Sequence, residues 1–285
     1  MLLSQRLISL LFFAKSSIII ITNSMKGVFM NILCIGDVVG VNGCNFLRSK
    51  LPSLKRTYGI DVVIANGENA SDGNGITPSS ARHLFDSGVD ILTLGNHTYR
   101  RAEVYDYLDE TECILRPYNF PEGAPGKGML IYDMGIRSIA VINLMGQMYM
   151  DNVDCPFAAL DKILSDKSMP KIIIVDFHAE ATGEKRAFGY YADGKVSAVF
   201  GTHTHVQTAD ECVLPKGTGY ITDVGMTGTV ESVLGVKPEL VIKKCKTKLP
   251  VRFDYEQGDA KMDMVLFDID EKTGLARKVQ RLSIR

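Results

Sequence analysis

A short apolar run, Asn31-Ile32-Leu33-Cys34-Ile35-Gly36, leads directly into Asp37-Val38-Val39-Gly40. Nearly continuous apolar character is typical of a strand that is buried on both faces, as the strands of a parallel sheet are. Asp37 would then lie at the carboxyl end of that strand, where open α/β sheets bind their ligands. A single Asp after a strand is more often a turn or capping residue than a ligand. The other strand ends of the chain are therefore needed to choose between these two interpretations.

The same succession of strand, polar end and helix recurs twice further along the chain. Asp61-Val62-Val63-Ile64-Ala65 predicts a second strand and is followed by Asn66-Gly67-Glu68-Asn69. Thr77-Pro78 predicts a helix start, because Thr caps helices well and Pro suits the first helical position. A third strand, residues 90–94, is followed by Gly95-Asn96-His97-Thr98. This alternation predicts an α/β sheet whose strand ends lie along one edge.

Two further strands in the second half of the chain also end in histidines. Lys171-Ile172-Ile173-Ile174-Val175 leads into Asp176-Phe177-His178-Ala179-Glu180, and residues 195–200 lead into Gly201-Thr202-His203-Thr204-His205. In an extended backbone residues i and i+2 face the same way, so the last two histidines are expected to project together, with the glycine giving room to turn. An isolated His-x-His pair is more often solvated than functional, and only the other strand ends favour a site here.

Composition places the chain among ordinary globular proteins. It has 285 residues, a net charge of -1 and 46% hydrophobic residues, which suits one or two domains and gives no general attraction to nucleic acid. The six cysteines form no CxxC pair, as expected for reduced thiols in the cytoplasm. We therefore expect a cytoplasmic protein that binds neither duplex nucleic acid nor a membrane through residues 30–285.

The N-terminal residues 1–29 differ from the rest of the chain. Their two apolar runs are separated by Lys15-Ser16-Ser17, whereas a transmembrane helix needs about 20 consecutive apolar residues. We favour a start codon assigned too early, since Met30 comes just before the first strand; a signal or anchor segment is the alternative. Residues 30–285 are predicted to form one domain.

Several weaker predictions concern the second half of the chain. Residues 223–228 are rich in glycine and predict a loop, whereas residues 251–255 alternate like an antiparallel strand. The basic run at residues 243–248 is interpreted as a solvated face. Lys185 and Arg186 are either phosphate contacts or part of a solvated helix face.

The strand ends together supply a set of side chains with oxygen or nitrogen ligand atoms and no thiolate. The set is Asp37, Glu68, Asn69, Asn96, His97, His178, His203 and His205. Such ligands suit Fe, Mn, Zn or Mg, and there are too many for one tetrahedral zinc. They fit two ions about 3.5–4 Å apart that share a carboxylate. Two divalent ions, two carboxylates and one hydroxide leave a positive charge that matches a phosphodiester anion.

Four motifs carry a resemblance to a known family. They are Gly36-Asp37-Val38-Val39-Gly40, the segment 176–182, Gly201-Thr202-His203-Thr204-His205-Val206 and the segment 221–228. Together they resemble the calcineurin-like metallophosphoesterases, and more closely the YmdB-like 2',3'-cyclic-nucleotide 2'-phosphodiesterases of bacteria, over essentially all of residues 30–285. The resemblance implies an α/β fold of the α+β sandwich type, in which two packed β-sheets are flanked by helices. The metals are expected at the carboxyl ends of the strands.

The chain departs from the broad superfamily at a few positions. Val39 stands where the wider group has a histidine ligand, and Glu68 replaces the usual bridging Asp. Asn69 can supply an amide oxygen to the ion that lacks the histidine, as in the YmdB-like subgroup. Compared with that subgroup, Tyr99-Arg100 stands where a Trp is more usual, which removes no ligand.

The resemblance also implies a role for each residue of the set. One ion is expected to bind Asp37, Glu68, Asn69 and His205, and the other Glu68, Asn96, His178 and His203. Glu68 would bridge the two divalent or mixed-valence ions, with Fe or Mn favoured over Zn or Mg. A bridging hydroxide would attack the cyclic phosphate while His97, as general acid, protonates the departing 2'-oxygen and leaves a nucleoside 3'-phosphate.

Other functions are left open by the sequence. The same metals could hydrolyse 3',5'-cyclic nucleotides or phosphomonoesters, because metal ligands do not recognise the base or the ring. A regulatory sensor of nucleotides or RNA ends is the alternative from a different class. The expected partner is a 2',3'-cyclic nucleotide or a small RNA-end substrate, and a homo-oligomer is left open.

Overall fold

The computed structural model describes residues 29–285. Phe29 already belongs to the first strand, whereas the rest of the predicted N-terminal extension, residues 1–28, lies outside the described residues. Within the described part of the chain, no helix combines the length and the apolar character needed to cross a membrane.

The elements alternate as the sequence predicts through the first part of the chain. In chain order the strands are β1 (Phe29–Ile35), β2 (Asp37–Val38), β3 (Val62–Asn66), β4 (Ile91–Thr93), β5 (Ile114–Leu115), β6 (Met129–Asp133), β7 (Ser138–Met145), β8 (Ile172–His178), β9 (Ala198–Thr202), β10 (Cys212–Val213), β11 (Gly219–Ile221), β12 (Met226–Thr229), β13 (Ala260–Asp270) and β14 (Ala276–Ile284). The α-helices are α1 (Gly40–Tyr58), α2 (Pro78–Asp86), α3 (Tyr105–Glu110), α4 (Pro156–Leu164), α5 (Thr182–Ala192) and α6 (Pro238–Thr247).

The strands form two mixed sheets. The first has the order β2-β12-β13-β1-β3-β4-β5, with β14 also paired to β13, and the second has the order β10-β11-β9-β8-β7-β6. In the first sheet β1, β3, β4 and β5 are parallel, and in the second β7, β8, β9 and β11 are parallel. Because parallel strands point the same way, their carboxyl ends meet at one edge of each sheet.

The two sheets pack face to face. Alternate residues such as Ile32 of β1 and Ile174 of β8 lie in one shared buried cluster between them. The outer face of the first sheet is covered by α1 and α2, through residues such as Leu47 and Leu84, and that of the second by α4 and α5. Each such leucine contributes about 1.5–3 kcal/mol by leaving water. The predicted architecture of two packed sheets flanked by helices is confirmed.

The start of α2 shows how local sequence fixes an element. The hydroxyl of Thr77 accepts from the Ser80 N–H at 3.3 Å, and the Ser80 hydroxyl accepts from the Thr77 N–H at 2.9 Å. This reciprocal capping satisfies two backbone donors, and Pro78 at the first helical position needs none.

Two predicted elements differ in the structure. Part of the predicted loop at residues 223–228 forms β12, which pairs with β2 and β13. Its first glycine serves close packing, since a Cβ added to Gly225 would lie 2.6 Å from the Asp263 carboxylate oxygen Oδ2. The predicted strand at residues 251–255 is not a strand, apart from one bridge from Tyr255 to Val236. Its alternating pattern reflects half-buried and exposed side chains on a surface segment without a neighbouring strand.

Candidate metal centre

The carboxyl ends of β1, β3, β4, β8 and β9 bring all eight predicted side chains into one group. Glu68 Oε1 lies 3.2 Å from His178 Nε2. The same His178 nitrogen is 3.0 Å from Asn96 Oδ1 and 3.2 Å from His203 Nδ1. Ligand atoms of Glu68, His178 and His203 all lie within 4.8 Å of one another, close enough to hold one metal ion.

A second set of contacts surrounds Asp37. Its Oδ1 lies 3.4 Å from His205 Nε2 and accepts from the Asn69 amide N–H at 3.4 Å. The same amide nitrogen is 3.2 Å from His205 Nε2 and 3.5 Å from Glu68 Oε1. Glu68 therefore contacts members of both sets. The amide oxygen of Asn69 faces away from both sets of ligand atoms. It reaches them only if the side-chain amide turns by half a turn, which exchanges the positions of its O and N.

His97 lies beside both carboxylate-bearing sets. Its Nδ1 is 2.7 Å from Asn69 Oδ1 and 3.6 Å from Glu68 Oε1, and its backbone N–H donates to Glu68 Oε2 at 3.0 Å. Since an amide oxygen only accepts, this contact places a hydrogen on Nδ1 and leaves Nε2 as the second site for a proton. His97 also lines the cleft described below.

The group concentrates charge in a buried place. Burial opposes ionisation of Asp37, yet His205 and His178 hold the pKa of this carboxyl well below its usual range. Burial alone would lower the pKa of His178, but Glu68 and Asp37 raise it to about 9. Burial and neighbouring His178 lower the pKa of His203 to about 3. The buried carboxylates thus hold protons on His178 and His205, and metal cations would take the place of those protons.

A polar layer beneath His178 was missed by the sequence analysis. Asp176 is fully buried, and burial raises its pKa to about 7. It accepts from the hydroxyls of Thr93 and Thr202, and the Thr202 oxygen lies 2.9 Å from His178 Nδ1. These contacts orient the ring so that Nε2 faces Glu68. The missed signal was an Asp inside an otherwise wholly buried strand, since a buried carboxylate needs partners.

The loop with the last two histidines is not extended, contrary to the expectation. His203 has φ 98° and His205 φ 63°, in the left-handed region that side chains with a Cβ rarely adopt. The two rings therefore diverge, one toward His178 and the other toward Asp37. Gly201 permits close packing, because an added Cβ would lie 1.8 Å from the Thr222 carbonyl oxygen.

A buried ion pair supports this loop. Lys185 Nζ donates to Asp223 Oδ2 at 2.6 Å and to the Thr202 carbonyl at 2.7 Å, and both side chains are almost fully buried. The same Asp223 oxygen accepts from the Thr204 N–H at 3.1 Å. Lys185 is thus neither a phosphate contact nor part of a solvated face, and Arg186 pairs with Asp210 at 3.3 Å.

The group opens into a cleft of about 1120 Å³. We call the side chains of this group that line the cleft the floor, and they are Glu68, Asn69, His97, His203 and His205. We call residues 234–257 the wall, from which seven side chains line the cleft: Leu234, Val236, Arg252, Phe253, Asp254, Tyr255 and Gln257. Arg100 and Arg101 line it as well. Ligand atoms thus lie at the base of a space that a substrate can enter.

Comparison with known proteins gives one consistent family. A family model described as YmdB-like protein matches residues 33–282. A 2',3'-cyclic-nucleotide 2'-phosphodiesterase of Bacillus subtilis (strain 168) is 48% identical over 257 residues, which are 90% of this chain and 97% of that protein.

Solved structures agree with the sequence comparison. The crystal structure of a novel phosphatase from Mycoplasma pneumoniae is 33% identical and superposes with a TM-score of 0.86, covering 90% of this chain and 93% of that one. A putative 5'-nucleotidase from Staphylococcus aureus has a TM-score of 0.55 at 18% identity, covering 88% of this chain and 54% of that one. The second likeness concerns the fold alone.

Proposed function

Since the chain belongs to the YmdB-like protein family, we propose that it is a metal-dependent phosphodiesterase that hydrolyses 2',3'-cyclic nucleotides to nucleoside 3'-phosphates. The observation that carries the proposal is the position of Glu68, whose carboxylate contacts both sets of ligand atoms at the base of an open cleft. The activity named for the Bacillus subtilis relative supports the same reaction.

The residues present fit a pair of cations. Asp37 and Glu68 are buried carboxylates, and they hold protons on His178 and His205 that cations can replace. In our proposal the first ion is held by Asp37, Glu68, Asn69 and His205, and the second by Glu68, Asn96, His178 and His203. Iron or manganese suits this mixture of carboxylate, amide and imidazole ligands. When bound, the two ions would activate a water molecule as nucleophile and neutralise charge that develops on the phosphate.

His97 is proposed as the general acid. In our proposal the proton for the departing 2'-oxygen is held on Nε2 of His97, the ring nitrogen that Asn69 does not contact. Burial lowers the pKa of His97, although the adjacent Glu68 carboxylate opposes this effect. The protonated form is therefore less abundant at neutral pH but gives up its proton more readily.

The proposal places the enzyme in the cytoplasm. Its six cysteines, all within residues 29–285, are free, as suits a reducing compartment.

The test combines a substrate panel with one conservative variant. The purified chain, loaded with Mn or Fe, is expected to convert 2',3'-cyclic AMP to 3'-AMP. Chromatography that separates 3'-AMP from 2'-AMP measures the product. Glu68→Gln keeps the shape of the side chain but removes the shared charge, so activity should fall by about a thousandfold or more. The matched control is Glu122→Gln at an exposed position, which should behave as wild type.

Two results would overturn the proposal. Metal-loaded wild-type protein that leaves every cyclic nucleotide and simple phosphodiester intact would remove the enzymatic function. Faster turnover of 3',5'-cyclic nucleotides or phosphomonoesters than of 2',3'-cyclic nucleotides would move the activity to another substrate.

A further inference from the structure

We propose that the wall, including its helix α6, binds the sugar–phosphate backbone of single-stranded RNA whose 2',3'-cyclic phosphate end lies on the floor. This inference rests on the proposed function and names its substrate class as RNA ends rather than free mononucleotides. We call the surface concerned the basic rim, and it consists of Lys243, Lys244, Lys246, Lys248 and Arg252.

Charge is distributed very unevenly along the chain. Residues 237–252 contain six Lys or Arg residues and one Glu, a net charge of +5. The whole chain carries -1, so all other residues together carry -6. A local excess of this size attracts a polyanion even though the protein as a whole does not. One cyclic mononucleotide, with a single negative charge, does not require it.

The basic rim is continuous with the cleft. The Lys244 ammonium lies 4.8 Å from the centre of the Phe253 ring, and Phe253 lines the cleft beside Arg252. Lys248 follows α6 directly, and its backbone N–H donates to the Lys244 carbonyl, so both lysines lie at the carboxyl end of the helix. Lys237 is not part of the rim, because its ammonium is paired with Asp254 at 2.6 Å.

Helix α6 has little part in the packing of the fold. None of its residues is buried, so it contributes little to the core. Lys243, Lys244 and Lys246 are exposed on it, and Lys248 is exposed where it ends. An exposed helix with this charge was interpreted from sequence as a solvated face. Because the helix lies next to the cleft, its lysines can bind the phosphates of a strand that leaves the cleft. Such contacts supply most of the affinity for single-stranded nucleic acid.

The wall also offers aromatic rings. Phe253 and Tyr255 are both half-buried and both line the cleft. Aromatic side chains stack on unpaired bases at about 1–3 kcal/mol per base, with little sequence preference. A cleft of about 1120 Å³ exceeds the range of about 300–1,000 Å³ that is common for small-molecule pockets, which leaves room for more than one nucleotide. Stacking needs unpaired bases, so the fit is to a single strand.

The first experiment measures binding without turnover. A fluorescent single-stranded RNA of ten nucleotides with a 3'-phosphate is titrated with the full chain, and its anisotropy is followed at several salt concentrations. Lys244→Gln/Lys248→Gln should weaken binding about tenfold and reduce the slope of log K against log salt by about 1.4, since each single-strand phosphate contact contributes about 0.7.

The matched control removes two lysines at the other end of the molecule. Lys272→Gln/Lys278→Gln changes the same charge near the β13–β14 turn, and β13 at that end pairs with the amino end of β1, away from the floor. This control should bind as wild type does. Equal weakening by both double variants, or equal competition by duplex RNA, would overturn the inference.

The second experiment separates this inference from the proposed function. With wild-type enzyme, kcat/KM for the same RNA ending in a 2',3'-cyclic phosphate should exceed that for 2',3'-cyclic AMP. Lys244→Gln/Lys248→Gln should lower only the RNA value. If the mononucleotide is cleaved but the RNA is no better and the variant changes nothing, the RNA inference fails and the phosphodiesterase stands. If neither is cleaved, the proposed function fails, and the inference fails with it because it names the substrate of that reaction.

Discussion

The floor and the wall of the cleft each have a lysine–aspartate ion pair. The two pairs have the same N–O distance, but one is buried and the other is exposed. Beneath the floor, Lys185 Nζ and Asp223 Oδ2 are 2.6 Å apart, and their side chains are 1% and 0% exposed. In the wall, Lys237 Nζ and Asp254 Oδ2 are also 2.6 Å apart, with 33% and 68% of the side chains exposed. Distance alone therefore says nothing about what either pair contributes.

The difference follows from how the two regions are built. The floor stands on parallel strands that are buried on both faces, and its last loop adopts left-handed backbone angles at His203 and His205. Strained angles persist only where surrounding contacts hold them. The wall is a surface segment with a short exposed helix and no regular strand partner. The floor thus needs rigid support, whereas the wall can adjust to what it binds.

The largest effect on stability is expected from Lys185→Met. The variant keeps the length of the side chain but leaves the buried Asp223 carboxylate without its counter-charge, which costs about 3–5 kcal/mol of unfolding free energy. Urea denaturation of metal-free protein measures this loss without the contribution of bound metal. Metal content per chain should fall as well, because the pair holds the Thr202 carbonyl and the Thr204 N–H of the histidine loop. A loss below about 1 kcal/mol would contradict a supporting role.

The floor could largely be predicted from the sequence, and the reason is local. Each proposed ligand stands at the end of an apolar strand, and parallel pairing brings such ends together without any knowledge of long-range contacts. The contacts beneath the ligands could not be found in this way. The partners of Asp176 and Lys185 depend on which side chains meet across elements. An Asp in an apolar strand signals that buried partners exist but not which residues they are, and Lys185 stands in no pattern that distinguishes a buried pair from a solvated one.

The wall was predicted poorly for a physical reason. Residues 251–255 alternate in polarity as an antiparallel strand does, but the same alternation arises wherever a surface segment has one face toward a cleft. Whether such a segment lies beside a sheet or a cleft is decided by the tertiary structure and not by the local sequence. The His203 and His205 backbone was mispredicted similarly, since histidine gives no sign of a positive φ.

An intermediate effect is expected from Glu180→Ala at the edge of the floor. Glu180 Oε2 lies 3.1 Å from His203 Nε2, so the carboxylate holds a hydrogen on that nitrogen and leaves Nδ1 toward His178. Such partners of metal-binding histidines typically contribute 10–100-fold in metal affinity, and because Glu180 is half exposed we expect about tenfold. Titration with Mn, followed by calorimetry, measures it. Glu180→Gln retains an acceptor and should lose less; equal losses in both variants would rule out the orienting role.

The smallest effect is expected from Lys237→Met, which is the same substitution at the same pair distance as Lys185→Met. Water and salt screen the exposed pair, so its removal should leave the urea midpoint unchanged within the error of the measurement. Activity on 2',3'-cyclic AMP and RNA binding should also stay close to wild type, because Lys237 is paired with Asp254 and lies outside the basic rim. A shift in midpoint comparable to that of Lys185→Met would mean that the wall is as rigid as the floor, and the contrast between the two regions would fail.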